Sequence, residues 1–104
     1  MQIQTREALD PEVVALLMAR RRELAASGVE AADAEDGHFL VAMIGGHAVA
    51  FGVWEPRGAG GAELTCVYVR PSFRGRGITV ALTVALEEEA LATGRQLVAR
   101  PLVQ

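Results

Sequence analysis

The fold of this chain is decided by residues 67–78, which read Val67-Tyr68-Val69-Arg70-Pro71-Ser72-Phe73-Arg74-Gly75-Arg76-Gly77-Ile78. An apolar, strand-like run stops at the proline, a loop with two glycines follows, and a segment with helical spacing begins at Ile78. The first amides of a helix lack intrahelical acceptors and carry the positive end of the helix dipole, so such a junction can hold a phosphate if side chains stay clear. Gly75 and Gly77 would provide that clearance, although a plain strand-to-helix turn also uses glycines.

Two other phosphate motifs do not fit this stretch. The Walker loop needs a lysine, and all ten basic residues of the chain are arginines. The dinucleotide-binding fingerprint needs a third glycine, and Val80 occupies its place. An Arg-Gly repeat can also bind RNA, but one copy between a patterned strand and helix, in a chain with net charge −3, argues against nucleic acid.

The stretch resembles the signature of the GNAT superfamily, the acyl-coenzyme A dependent N-acyltransferases. That signature is Arg/Gln-x-x-Gly-x-Gly/Ala after a strand that ends in Val-x-Pro, and Arg74, Gly77 and the lead-in Val69-Arg70-Pro71 match it. Thr79 departs from the signature, because the family prefers Gly or Ala there. Its β-branched side chain would crowd a pyrophosphate, or its hydroxyl would cap the helix or bond a phosphate oxygen.

The remaining segments follow the order of elements in that family. We predict an edge strand over residues 1–5, a helix from Pro11 to a stop at Ser27-Gly28, strands over 38–44 and 47–54 joined by a Gly45-Gly46 hairpin, a loop over 55–61, a strand over 62–70, a helix over 78–93 and a strand over 96–103. Residues 30–36 are interpreted as an exposed acidic linker.

Spacing also predicts which side chains face the core. In the first helix the apolar stripe is Val14, Leu17, Met18 and Leu24, and in the second it is Ile78, Leu82, Ala85 and Leu86. A regular pleat along residues 62–70 would place Leu64, Cys66 and Tyr68 on one face and Glu63, Thr65, Val67 and Val69 on the other.

The resemblance implies an α/β (α+β) fold: a mixed, mainly antiparallel sheet flanked by helices. It implies one acyl-CoA-binding domain over residues 1–104 that stops before the family's usual C-terminal helix and strands. The main-chain amides of Arg74, Gly75, Arg76, Gly77, Ile78 and Thr79 would hold the pyrophosphate of coenzyme A, and main-chain groups of Val67 and Val69 would pair with its pantetheine arm like an added strand. The side chains of Arg74 and Arg76 would add charge there, or simply be exposed.

The activity that the resemblance implies is transfer of an acetyl group from acetyl-CoA to a primary amine, by direct attack in a ternary complex. Glu63 matches a position where several members place the general base, and a surface glutamate at a strand start is the alternative. Members often use a tyrosine to protonate the leaving thiolate, but the one tyrosine here, Tyr68, lies on the motif strand, where packing is expected. A non-catalytic acyl-CoA-binding or protein-interaction module is therefore the competing hypothesis.

Composition limits the kinds of site, the cellular location and the assembly that can be expected of this chain. A single cysteine, Cys66, excludes an internal disulfide and a multi-cysteine metal site, and two histidines do not complete a site, so we predict no metal. Neither a signal peptide nor an apolar run of ~20 residues is present, so we expect a cytoplasmic protein without a membrane partner. A chain that stops after residues 96–103 would expose a sheet edge and an uncovered face, which predicts a homodimer joined through its C-terminal strands, unless the chain is a truncated gene product.

Overall fold

Two helices lie on opposite faces of a five-stranded sheet, and the computed structural model describes residues 1–30 and 37–99. The elements are β1 (Gln2–Arg6), α1 (Pro11–Ala26), β2 (His38–Ile44), β3 (His47–Arg57), β4 (Gly61–Val69), a 3-10 turn (Pro71–Phe73), α2 (Ile78–Ala92) and β5 (Gln96–Ala99). The strands lie in the order β1-β2-β3-β4-β5, with antiparallel pairs except for the parallel pair β4–β5. This confirms the predicted fold class. The predicted linker beyond residue 30 and the last strand beyond residue 99 lie outside the described residues.

Helix α1 begins where the sequence predicts, because Asp10 caps it. The Asp10 carboxylate accepts hydrogen bonds from the backbone N–H groups of Glu12 and Val13, at 2.9 and 3.4 Å. The predicted buried stripe, however, is wrong in part. Val13 and Leu16 are the buried residues of α1, whereas Val14 and Met18 are 36% and 54% exposed.

The physical reason is that residues 13–19 are all apolar, so helical spacing fits several faces and docking on the sheet selects one of them. For α2 the prediction is confirmed. Its buried residues are Ile78, Leu82, Leu86 and Ala90, and Ala85 packs against them. They pack on the face of the sheet that carries Leu40 and Trp54, while α1 covers the opposite face, which carries Phe39 and Phe51.

Strand β4 departs from a regular pleat at one position. Cys66 pairs with Val53 of β3 and Leu64 pairs with Trp54, so Thr65 is an extra residue without a direct partner, a β-bulge. The extra residue shifts by one the alternation of β4 side chains between the two faces of the sheet. Leu64 therefore packs on the α2 side with Val67 and Val69, and Cys66 and Tyr68 pack on the α1 side. The predicted grouping of Leu64 with Cys66 and Tyr68 is wrong for this reason.

The loop predicted over residues 55–61 is shorter in the structure. Glu55, Pro56 and Arg57 extend β3 and pair with Glu63, Ala62 and Gly61 of β4. Side chains support this extension, since Thr65 Oγ1 donates to Glu55 Oε1 at 2.8 Å and Arg57 Nε donates to Glu63 Oε2 at 2.8 Å. Within residues 1–30 and 37–99, no helix is long and apolar enough to cross a membrane.

Candidate functional site

The glycine loop between β4 and α2 presents open backbone amides. Gly75 and Gly77 both adopt the left-handed conformation, with φ of 78° and 76°, which glycine takes without steric cost. Gly77 is the N-cap residue of α2 and provides no side chain to cap the helix, and a Cβ built on it would meet no atom within 4 Å. The first intrahelical bond runs from Ala81 N–H to the Gly77 carbonyl at 3.1 Å, so the amides before Ala81 have no helical acceptor. We call the amides of residues 74–79 the amide cradle; within it the Arg74 N–H donates to the Pro71 carbonyl at 3.3 Å, so the open amides begin at Gly75.

Two adjoining cavities surround this loop. The smaller, about 200 Å³, is lined by Val69, Phe73, Arg74, Gly75, Gly77, Ile78 and Thr79. The larger, about 410 Å³, is lined by Arg20, Glu23 and Leu24 of α1 and by Val67, Tyr68, Val69, Arg74 and Thr79. Of the residues assigned to coenzyme binding from sequence, all but Arg76 line one of these cavities. The Arg76 guanidinium instead lies 5.2 Å from the centre of the Phe73 ring.

The outer edge of β4 is open next to these cavities. Strand β5 pairs only with Gly61–Leu64, so from Thr65 onward no described strand lies beside β4 on that edge. The Arg70 N–H donates to the Val49 carbonyl of β3 at 2.9 Å. Because successive residues of a strand direct their N–H and C=O groups to alternate edges, those of Val67 and Val69 point outward, away from β3. An extended ligand can therefore pair with β4 through the N–H and C=O of Val67 and the N–H of Val69, since the Val69 carbonyl already accepts from Arg74 Nε.

Arg74 joins α1 to β4 through an ionic cluster that the sequence does not reveal. Its Nη2 lies 2.6 and 2.8 Å from the two carboxylate oxygens of Glu23, and its Nε donates to the Val69 carbonyl at 3.0 Å. The Tyr68 hydroxyl donates to Glu23 Oε2 at 3.0 Å, and the Arg74 guanidinium lies 5.7 Å from the centre of the Tyr68 ring. Glu23 is 51 residues from Arg74 in sequence, so no local pattern could have identified it.

This cluster shifts two ionisation equilibria. The hydrogen bond from Arg74 lowers the pKa of the Glu23 carboxyl below its ordinary value, so the carboxylate is charged at neutral pH. Burial raises the pKa of the Tyr68 phenol, and the hydrogen bond to Glu23 raises it further. Tyr68 thus combines packing on the α1 side of the sheet with a polar contact at the rim of the larger cavity.

Thr79, the departure from the family signature, borders both cavities with an exposed side chain. Helix α2 has no side-chain cap, so the Thr79 hydroxyl does not cap it. The neighbouring Ile78 side chain is buried in the core, which leaves only its backbone amide facing the loop.

Glu63, the candidate base, lies at the other end of β4 from the amide cradle. Six residue-to-residue steps along the strand lead from it to Val69, which corresponds to roughly 20 Å. Its side chain is only 16% exposed and forms an ion pair with Arg57 at 2.8 Å, so it is not a simple surface glutamate. Glu55 lies directly opposite it on β3. Glu55 is a second largely buried carboxylate, and no sequence pattern singles it out.

Comparison with known proteins places the chain in a family. Residues 5–100 match the model of the acetyltransferase (GNAT) family, so the chain belongs to that family, whose chemistry is acyl transfer. No curated protein sequence matches the chain significantly. The resemblance inferred from residues 67–78 is therefore confirmed.

Solved structures of similar fold include coenzyme-binding relatives. A Klebsiella pneumoniae protein described as an acyl-CoA N-acyltransferase is 25% identical with a TM-score of 0.75, over 88% of this chain and 64% of that one. A ribosomal-protein-alanine N-acetyltransferase from Brucella melitensis is 22% identical with a TM-score of 0.73, over 98% and 80%. A GNAT acetyltransferase from Elizabethkingia anophelis, solved with acetyl-CoA bound, is 20% identical with a TM-score of 0.71, over 94% and 63%. The chain thus spans less than two thirds of the first and third of these proteins.

Proposed function

We propose that this chain binds acetyl-CoA along the outer edge of β4 and transfers its acetyl group to a primary amine. The observation that carries the proposal is continuity: the open edge at Val67 and Val69 leads directly into the amide cradle at the start of α2. An extended pantetheine arm can pair with a strand edge, while a pyrophosphate binds helix N-terminal amides. Bound acetyl-CoA in the Elizabethkingia anophelis relative supports this choice of co-substrate.

Each part of the site has a proposed role. The amides of residues 74–79 bind the pyrophosphate, and the outward N–H of Val67 polarises the thioester carbonyl. The amine attacks that carbonyl in a ternary complex, and coenzyme A leaves as the thiolate. Glu63 accepts the proton from the amine, directly or through water, and Arg57 orients its carboxylate.

Thermal unfolding against increasing acetyl-CoA tests the binding step. A ligand at ~100 times its dissociation constant stabilises the native protein by about 2.7 kcal/mol, which raises the melting temperature by roughly 10 °C or more in a domain of this size. Arg74→Ala and Gly77→Glu should each weaken coenzyme binding, while Glu88→Gln, on the exposed face of α2, serves as control. A cooperatively folded wild-type protein whose melting temperature does not respond would refute the proposal.

Release of thiol from acetyl-CoA, in the presence of a pool of primary amines, tests the chemical step. Glu63→Gln should keep the coenzyme affinity of the wild type and lose most of the rate, because it removes the base and leaves the amide cradle intact. A Glu63→Gln variant with undiminished rate would remove this residue from the mechanism.

A second candidate function is a non-catalytic acyl-CoA-binding module. The exposed Thr79 side chain at the cradle and the ion pair between Glu63 and Arg57 favour it, because both would slow a catalyst more than a binding protein. Coenzyme-dependent stabilisation without thiol release from any amine would support this candidate over the first.

We also propose that the protein acts as a homodimer in the cytoplasm, where its one thiol, Cys66, would stay reduced. Strand β5 is an edge of the described sheet, and Val98 on β5 and Val80, Val84 and Leu91 on α2 are all more than half exposed. Such an edge and apolar side chains favour association. A monodisperse monomer in light scattering across micromolar concentrations would contradict the dimer.

A further inference from the structure

Arg74 lines both cavities, the smaller one at the amide cradle and the larger one that α1 also lines. In the structure it is directed to the α1 side, where Glu23 binds Nη2 and the Val69 carbonyl accepts from Nε. The Arg74 side chain, which could bring positive charge to a phosphate in the amide cradle, is thus held by a carboxylate of α1.

The contact between Arg74 and Glu23 is exchangeable. Their side chains are 47% and 41% exposed, and ion pairs so open to solvent contribute little free energy. A guanidinium also matches the geometry of phosphate oxygens and binds them in bidentate fashion. A pyrophosphate in the amide cradle would therefore be a second anion beside the same guanidinium.

We propose that Glu23 competes with the coenzyme pyrophosphate for Arg74, and so sets coenzyme affinity from outside the glycine loop. This inference rests on the proposed function, because it requires that coenzyme A bind at the amide cradle. Glu23 acts here as a positioning residue: it contacts Arg74 and Tyr68, and it would act on the coenzyme through Arg74. Because the Glu23 carboxylate is charged at neutral pH, the competition operates under ordinary assay conditions.

A double-mutant cycle tests the competition, with coenzyme A as the ligand and calorimetry as the measurement. Glu23→Gln keeps an oxygen that can accept from the Tyr68 hydroxyl but removes the charge that holds Arg74. It should tighten coenzyme A binding about three-fold, a size expected for loss of a half-exposed ion pair. Glu88→Gln makes the same change in net charge on the outer face of α2 and should leave the affinity unchanged. In an Arg74→Ala background the effect of Glu23→Gln should disappear.

A spectroscopic readout separates competition from a purely structural role. Burial and Glu23 raise the pKa of the Tyr68 phenol and the charge of Arg74 partly offsets that rise, so drawing the guanidinium toward a pyrophosphate should raise the pKa further when coenzyme A is added to the wild type. In Arg74→Ala the coenzyme should leave it unchanged.

The outcomes are distinct. If Glu23→Gln weakens coenzyme binding or leaves it unchanged, the competition is refuted while the proposed function stands. Tightening that persists in the Arg74→Ala background would assign the effect to direct repulsion between Glu23 and the phosphates, and would also refute it. A wild-type protein that binds no coenzyme A would refute both the proposed function and this inference.

Discussion

Replacement of Gly77 by alanine, compared with the same change at Gly94, separates the conformational role of the glycine loop from its role in binding. The two glycines lie at opposite ends of α2 and have nearly the same φ, 76° and 81°. A Cβ at either position would meet no atom within 4 Å, so neither substitution causes a clash. Each should cost about 1 kcal/mol of unfolding free energy, because an L-residue is held in the left-handed region.

The two variants should therefore melt alike, about 4–8 °C below the wild type for each kcal/mol lost. Only Gly77→Ala places a methyl group where the amide cradle would hold a pyrophosphate. Loss of one hydrogen bond to a charged group costs about 1.5–3 kcal/mol, which corresponds to a dissociation constant for coenzyme A raised about tenfold or more. Gly94→Ala should bind coenzyme A as the wild type does.

The assay is calorimetric titration with coenzyme A below both melting temperatures, with urea unfolding on the same preparations to measure stability. Equal coenzyme affinity in the two alanine variants would refute the placement of the pyrophosphate at residue 77. A much larger loss of stability in one variant than in the other would refute the argument that left-handed backbone conformation alone sets the cost.

Three further experiments test the packing and the ionisation equilibria. Tyr68 is the only tyrosine, so tyrosinate absorbance reports its pKa directly. The midpoint of the titration should lie above about 10, and Glu23→Gln should lower it. The stability that the neutral phenol contributes should be lost as the pH rises from about 10 through this raised folded-state pKa. Gly52→Ala places a Cβ 2.6 Å from Leu86 Cδ1 and should lower the free energy of unfolding by about 1–3 kcal/mol, while Leu86→Ala should lower it by about 2–5 kcal/mol. The double variant should lose less than the sum of the two, and strict additivity would contradict the contact. Burial raises the pKa of the Cys66 thiol, so a thiol reagent near pH 8 should react slowly with the folded protein and rapidly after unfolding, and equal rates would contradict its burial.

The glycine loop could be predicted from sequence because its conformation is a local property. Pro71 ends the strand, Asp10 and Pro11 start the first helix, and Gly77 supplies a positive φ at the start of the second. Such residues restrict the backbone wherever they stand in a fold. The described elements therefore begin and end within a few residues of their predicted bounds.

The faces of the elements could not be predicted equally well, because tertiary packing selects them. Residues 13–19 of α1 are all apolar, so the choice of Val13 and Leu16 for the core depends on how the helix docks against the sheet. The bulge at Thr65 depends on the register between β3 and β4, and Thr65 itself is an ordinary strand residue.

In the candidate site, too, some features follow from local sequence and others from tertiary packing. Amides that would bind a pyrophosphate are placed by local backbone angles, so a twelve-residue motif suffices to identify them. The charge beside those amides is placed by tertiary contacts, because Glu23 of α1 meets Arg74 only in the folded chain, where α1 and β4 line the same cavity. Substitutions on α1 should consequently change the electrostatics of the proposed coenzyme site while the motif, and the fold that it decides, stay the same. Under the proposed function the motif predicts the class of ligand, and residues that tune its affinity are to be sought on α1 as well as in the loop.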